Sequence, residues 1–197
     1  MPKLPECEQR FLIAAAKDGV TLVPAPNYDW IGTRGPFGLA TQSGPLFDTV
    51  LEMAQALDGY LDVMRSPKRT KRADFDLIHE PTGIHIEVDE EQHFSTHRLK
   101  MLDFYWPDID YGFDPEEYRA LCRLHGPRMD RTGWAAKDTV NFGPRSRAKQ
   151  RAFYDAMKDL VLPAMGMPHV IRVEVIDREP ELAWALNRER ISAALAI

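Results

Sequence analysis

Residues 72–89 read RADFDLIHEPTGIHIEVD, and this stretch decides how the rest of the chain is read. Ala73, Phe75 and Leu77 alternate with Asp74 and Asp76; after a break, Ile84, Ile86 and Val88 alternate with His85, Glu87 and Asp89. Period-two alternation on both sides of a break predicts a β-hairpin. Glu80-Pro81-Thr82-Gly83 supplies the turn, with Pro second and Gly fourth as a type I turn prefers. A turn at those residues sets Asp76 across from Glu87 and Asp74 across from Asp89. The four carboxylates then share one face, and Phe75, Leu77, Ile84, Ile86 and Val88 fill the other.

A polar face on an antiparallel pair is often simply wet. Here, however, acids oppose acids directly, and like charges in that relation destabilise a sheet. A hard divalent cation offsets the repulsion. Mg²⁺ suits the position, because it binds through one or two carboxylates and completes its shell with waters and phosphate oxygens.

Outward from the hairpin, ECEQRFLIAAAK over residues 6–17 has helical spacing, and Val20–Val23 reads as a short strand. The Pro- and Gly-rich run 24–45 is an irregular loop, and Leu46–Met64 returns to a helical stripe through Phe47, Val50, Leu51, Ala54, Leu57 and Leu61. Downstream, 90–100 is polar, and 101–143 is rich in aromatics, Pro and Asp, with a short helix around Glu116–Leu124. KQRAFYDAMKDLVL at 149–162 predicts a helix, HVIRVEVI at 169–176 a strand, and 179–195 a closing helix with Pro180 in its first turn.

The chain has 197 residues and a formal net charge of −5, which on its own argues against a nucleic-acid partner. The bases are nevertheless clustered. RSPKRTKR contributes Arg65, Lys68, Arg69, Lys71 and Arg72, and RSRAKQR contributes Arg145, Arg147, Lys149 and Arg151. The two cysteines, Cys7 and Cys122, make neither a disulfide framework nor a four-thiolate zinc site, so a reduced cytoplasmic setting is the default. The N-terminal run fits neither a signal peptide nor a membrane span, and no membrane partner is expected. His93 and His97 have the i, i+4 spacing of a zinc grip but lack the Glu that a zinc-protease motif places after the first His, so zinc is not expected.

The run RADFDLIHEPTGIHIEVDEEQHF resembles the catalytic core of the PD-(D/E)XK nuclease superfamily, especially its branch related to very-short-patch-repair endonucleases. There a strand ending in Asp-Phe is followed by a strand reading Glu-x-Asp and then Gln-His. The resemblance extends to a preceding helix with a Glu, here Glu8, and to a following helix and strand, here 147–176 with Arg172 in the strand. It implies a single α/β domain over 1–197 of restriction-endonuclease-like fold, a mixed central sheet flanked by helices. Its core would be 6–24, 72–94 and 147–176, with insertions at 25–71 and 98–146, the latter the long one after the acidic hairpin. It also implies Mg²⁺ or Mn²⁺ held by Asp74 and Glu87, with Asp76 as a further ligand because the hairpin register sets it opposite Glu87. Asp89 stands where the family has Lys. Asp89, Gln92, His93 and Lys158 are therefore the candidates to orient or deprotonate water, and Glu8 would steady the site. The implied function is metal-dependent cleavage of DNA, with RNA open as a substrate, in repair, restriction or phage defence. Double-strand cleavage with one site per chain would imply a homodimer. The alternative is a catalytically inactive nucleic-acid-binding or protein-interaction module on the same fold, which the Asp at the Lys position keeps in play.

Overall fold

The hairpin sits inside a four-stranded mixed sheet in a computed structural model that describes residues 4–66, 68 and 71–196. The strand order is β1 (Val23–Pro24), β2 (Leu77–His79), β3 (Ile84–Glu90), β4 (Ile171–Val175). The first two junctions are antiparallel, and β3 and β4 run parallel. Leu77 pairs with Ile86 and His79 with Ile84, the register that the alternation predicts. The turn starts one residue earlier than expected: the Thr82 and Gly83 N–H groups both donate to the His79 carbonyl, at 3.2 and 2.9 Å. Gly83 takes a φ of 71°, the left-handed region open to glycine without steric cost.

One expectation about the hairpin fails in an informative way. Leu77, Ile86 and Val88 do pack together, in the core that the sheet forms with α1 (Glu6–Lys17) and α7 (Pro180–Leu195), with Ile84 packed against it. Phe75 instead packs on the opposite face, with Tyr28, Trp30 and helix α6 (Arg147–Ala164). Strand β2 begins only at Leu77, so the alternation ends there and Phe75 is free to cross over. Beyond Leu77 side chains replace the ladder: Asp76 N–H donates to Glu87 Oε1 at 3.1 Å, and Val88 N–H donates to Asp76 Oδ2 at 2.9 Å. The strands part at this point.

The helix read across Leu46–Met64 is two, α2 (Pro45–Ala56) and α3 (Leu61–Arg65). Asp58 adopts a φ of 59°, and the Gly59 N–H turns back to the Ala54 carbonyl. A Cβ at Gly59 would lie 2.7 Å from that oxygen, so the break needs glycine. Helix α4 (Thr96–Met101), which the polar run 90–100 does not announce, is capped by Ser95, whose hydroxyl accepts from Arg98 N–H. Helix α5 (Pro115–Met129) is capped by Asp114 and packs Tyr118 and Cys122 against Phe94, Leu102 and Phe113. The long insertion after the hairpin thus carries its own small core. Among the described residues no helix is long and apolar enough to cross a membrane.

Candidate functional site

Where β2 and β3 part, four chemically active side chains converge. Glu87 lies on the α6-facing side of β3 and is fully buried. Its Oε2 accepts from Lys158 Nζ, and its Oε1 accepts from Asp76 N–H. Lys158 is itself buried and stands 4.8 Å over the Phe75 ring, so the residue that crosses the sheet walls the ammonium. Glu8, in the first turn of α1, is 9% exposed and its Oε2 has no hydrogen-bond partner.

Burial raises all three carboxyls above their ordinary range. For Glu87 the rise reaches about 7; burial is the largest cause, the Lys158 ammonium opposes it and the Asp76 charge adds to it. Three desolvated acids around a single lysine make a centre short of positive charge. Nearby, burial and the acids Glu90 and Glu8 push the Cys7 thiol up to about 12, so it is no nucleophile at neutral pH.

Beside this centre lies a second buried polar group with a different character. Asp89 accepts from Arg172 Nη1 at 2.8 and 3.0 Å and from Tyr118 OH at 3.0 Å, and its Oδ1 lies 2.8 Å from His93 Nδ1. Arg172, fully buried on β4, also donates through Nε to Asp159 Oδ1 at 2.8 Å and through Nη2 to the Asp155 carbonyl at 3.0 Å. Asp159 in turn binds Arg98 Nη2 at 2.6 Å and Tyr105 OH. Burial alone would raise the Asp89 carboxyl, but Arg172 and His93 hold it well below the usual carboxylate range. Burial alone would lower His93, yet Asp89 and Asp155 raise it to about 9.

The sequence-predicted residues separate accordingly. Glu8, Asp76 and Glu87 come together, joined by Lys158 from α6. Asp74, expected to be the first metal ligand, does not: it is exposed and makes no described hydrogen bond or ion pair. Asp76 is the acid that lies beside Glu87: its N–H donates to Glu87 Oε1 and its own Oδ2 accepts from Val88 N–H. Asp89 is a brace rather than a base, since Arg172 and His93 hold its carboxyl well below the range in which it would take up a proton at neutral pH. Gln92 donates to Glu90 Oε2 at 2.6 Å and makes no described bond to Asp76 or Glu87. His93 is tied to Asp89 and Asp155 through Nδ1 and faces Arg151 Nη1 at 3.1 Å through Nε2, leaving no ring nitrogen for a pair with His97.

The two basic runs fare differently as well. In the first, Arg72 pairs with Asp29 and Arg65 lies near Asp62 and over Phe37, while Lys68 and Lys71 are exposed and Arg69 lies outside the described residues. In the second, Lys149 pairs with Asp58 and the exposed Arg145 caps Asp138 through its backbone, whereas Arg147 and Arg151 line the same side of α6 as Lys158. Reading the sequence missed Asp155, Asp159, Arg98, Tyr105 and Tyr118. The one available signal was Asp155, Lys158 and Asp159 at i, i+3, i+4, a charged stripe inside a helix otherwise assigned to the core.

A divalent cation must meet donors that want it. Among the described residues no three His, Cys, Asp or Glu side chains are grouped as a ready-made metal site. Mg²⁺ nevertheless needs only one or two carboxylates, and the buried, unpartnered Glu8 Oε2 beside a carboxylate-rich centre fits a hard cation.

No curated protein and no solved structure matches the chain. A model of a family of unknown function, DUF7255, matches residues 52–182, more than half of the sequence and the span that carries Asp76, Glu87, Asp89, Lys158 and Arg172, and the chain belongs to that family.

Proposed function

We propose that this protein is a metal-dependent nuclease of restriction-endonuclease-like fold, hydrolysing phosphodiester bonds of DNA at the Glu8, Asp76, Glu87 and Lys158 centre. The observation that carries this reading is the buried contact of Lys158 with Glu87 beside Asp76. Lys is absent from the strand position where the resemblance expects it, and a Lys from α6 reaches the same carboxylate instead.

Asp76 and Glu8 would hold Mg²⁺ or Mn²⁺, which when bound supplies Lewis-acid polarisation of the phosphate oxygens and a more acidic water. The Lys158 ammonium, fixed against Glu87 and walled by Phe75, offsets negative charge on the phosphate and orients the attacking water. Glu87, with a pKa near 7, accepts the proton that the water loses as its oxygen bonds to phosphorus and the leaving oxygen departs. Asp89 and Arg172 keep β3 and β4 in register behind this chemistry.

Incubating the protein with plasmid and single-stranded DNA in Mg²⁺ or Mn²⁺ tests the reading. Cleavage is expected, with Glu87→Gln and Lys158→Met each slowing it by roughly 10²–10⁴-fold. Cleavage that survives in Glu87→Gln sinks the assignment. DNA binding without cleavage in the wild type would favour a silent binding module, consistent with both Glu87 oxygens already being engaged.

A further inference from the structure

Helix α6 presents Arg147, Gln150, Arg151, Tyr154 and Lys158 at i, i+3, i+4, i+7 and i+11, one continuous stripe. Lys158 ends on Glu87; the rest of the stripe leads away from the centre for two to three helical turns. Its composition is unbalanced. Arg147 and Arg151 are both partly buried and one turn apart, where like charges repel. Neither has an Asp or Glu within ion-pair distance among the described residues. The partners they do have are neutral or cationic: Arg147 donates to Gln150 and lies 5.8 Å over the Trp134 ring, and Arg151 meets only His93 Nε2. The Tyr154 hydroxyl beside them is buried without a hydrogen-bond partner.

The other internal arginines show how unusual this is. Arg98 and Arg172, more deeply buried, are each satisfied by carboxylates. Asp155 acts on both guanidiniums, and Asp76, Glu87 and Asp89 on Arg151, only from beyond ion-pair distance, so two forks with no carboxylate in direct contact, next to an unused hydroxyl donor, can receive an anion. A tetrahedral oxyanion satisfies such a set, since each arginine offers a planar fork and the phenol a single further donor.

We infer that Arg147, Arg151 and Tyr154 bind a second phosphate of the substrate strand, adjoining the phosphate at the Glu87 and Lys158 centre. This rests on the nuclease reading for the identity of the ligand, but the anion site itself does not depend on it. Substrate would then lie along α6, held by this stripe and not by the run around Arg72, whose arginine is already paired with Asp29.

Inorganic phosphate and pyrophosphate, titrated into the metal-free protein by calorimetry, probe the site directly; a labelled single-stranded oligodeoxynucleotide in EDTA probes it with substrate. Saturable binding is expected, weakened at least tenfold in Arg147→Gln and in Arg151→Gln, several-fold in Tyr154→Phe, and retained in Glu87→Gln. Arg151→Lys, which keeps the charge but not the fork, should lie between wild type and Arg151→Gln; melting temperatures show whether each variant is folded. In cleavage assays the arginine variants should raise KM more than they lower kcat. Failure of wild type to bind either anion, or binding unchanged in both folded arginine variants, overturns the inference. Anion binding at these arginines without any cleavage would overturn the nuclease reading and leave the site standing, and cleavage with an indifferent Arg147 and Arg151 would do the reverse.

Discussion

Two buried polar groups lie side by side on the same face of one sheet, and their accounts of charge differ. Around Asp89, Asp155 and Asp159 three carboxylates face Arg172, Arg98 and His93, with Tyr105 and Tyr118 as further donors, and only Asp155 Oδ1 lacks a hydrogen bond among the described residues, 3.8 Å from Arg172 Nη2. Around Glu8, Asp76, Glu87 and Lys158 three carboxyls share one lysine, and Glu8 keeps an unpartnered oxygen. The charge-balanced group spans β3, β4, α4, α5 and α6, so it locks elements together; the acid-rich one lies where β2 and β3 part. A buried polar group whose charges balance specifies structure, whereas one with an excess of carboxyls leaves room for a further cation. Proximity in sequence does not separate them, since Glu87 and Asp89 are neighbours on one strand.

The sharpest way to break the comparison is to remove one arginine from the charge-balanced side. Arg172→Met would remove the guanidinium that Asp89 and Asp159 share, leaving buried acids in excess of their cations, and is expected to destabilise by about 3–5 kcal/mol, read by urea denaturation, whereas Lys158→Met should lose less stability and more cleavage. If Lys158→Met proves the more destabilising of the two, the division of labour is wrong.

Next in size are the effects of pH and metal. Glu87 titrates near 7 in the fold against an ordinary 4.5, so the folded state holds its proton more tightly than the unfolded one. Its contribution to stability therefore falls as pH rises from about 4.5 to 7, and Glu87→Gln should flatten that slope. Asp89 works the other way: its lowered pKa gives stability that is present above the ordinary carboxylate range and lost as pH falls through and below it. Millimolar Mg²⁺ should raise the melting temperature by binding the native state, more at pH 8 than at pH 5.5 because protons compete for the same carboxyls. No shift in wild type at either pH would remove the cation from the account.

A single hydroxyl makes a finer test. Tyr118→Phe deletes one donor to Asp89 and should cost about 1 kcal/mol with cleavage per folded molecule unchanged. Smallest of all, Asp74→Asn should change stability by less than about 0.5 kcal/mol and leave cleavage intact, while Asp76→Asn abolishes it. Equal loss in the two would restore Asp74 to the site.

Much of this was legible from residue patterns. Helix α1 has the bounds its spacing predicts, and the pairing of Leu77 with Ile86 follows from alternation alone. Period-two patterning specifies register strongly because a slip of one residue moves Leu77, Ile86 and Val88 into the wrong core. It cannot report where a strand starts, and the choice between Asp74 and Asp76 turned on that: with β2 beginning at Leu77, only the nearer acid meets Glu87. The brace was hidden for another reason. Arg98, Asp155 and Arg172 come from three separate elements, and nothing local distinguishes a charged residue that will be buried with partners from one that will face water. The split of α2 from α3 escaped the helical stripe because the apolar period continues through Asp58 and Gly59 while the backbone does not.

The parting of β2 from β3 has one more consequence. Two amides of the sheet, those of Asp76 and Val88, are held by carboxylates instead of carbonyls. Their hydrogen-exchange rates and proton chemical shifts therefore answer to the ionisation and occupancy of Asp76 and Glu87, while the amides of the Leu77–Ile86 pair answer to the opening of the sheet. The molecule thus carries its own pair of backbone probes, one for the state of the site and one for the integrity of the fold, two residues apart.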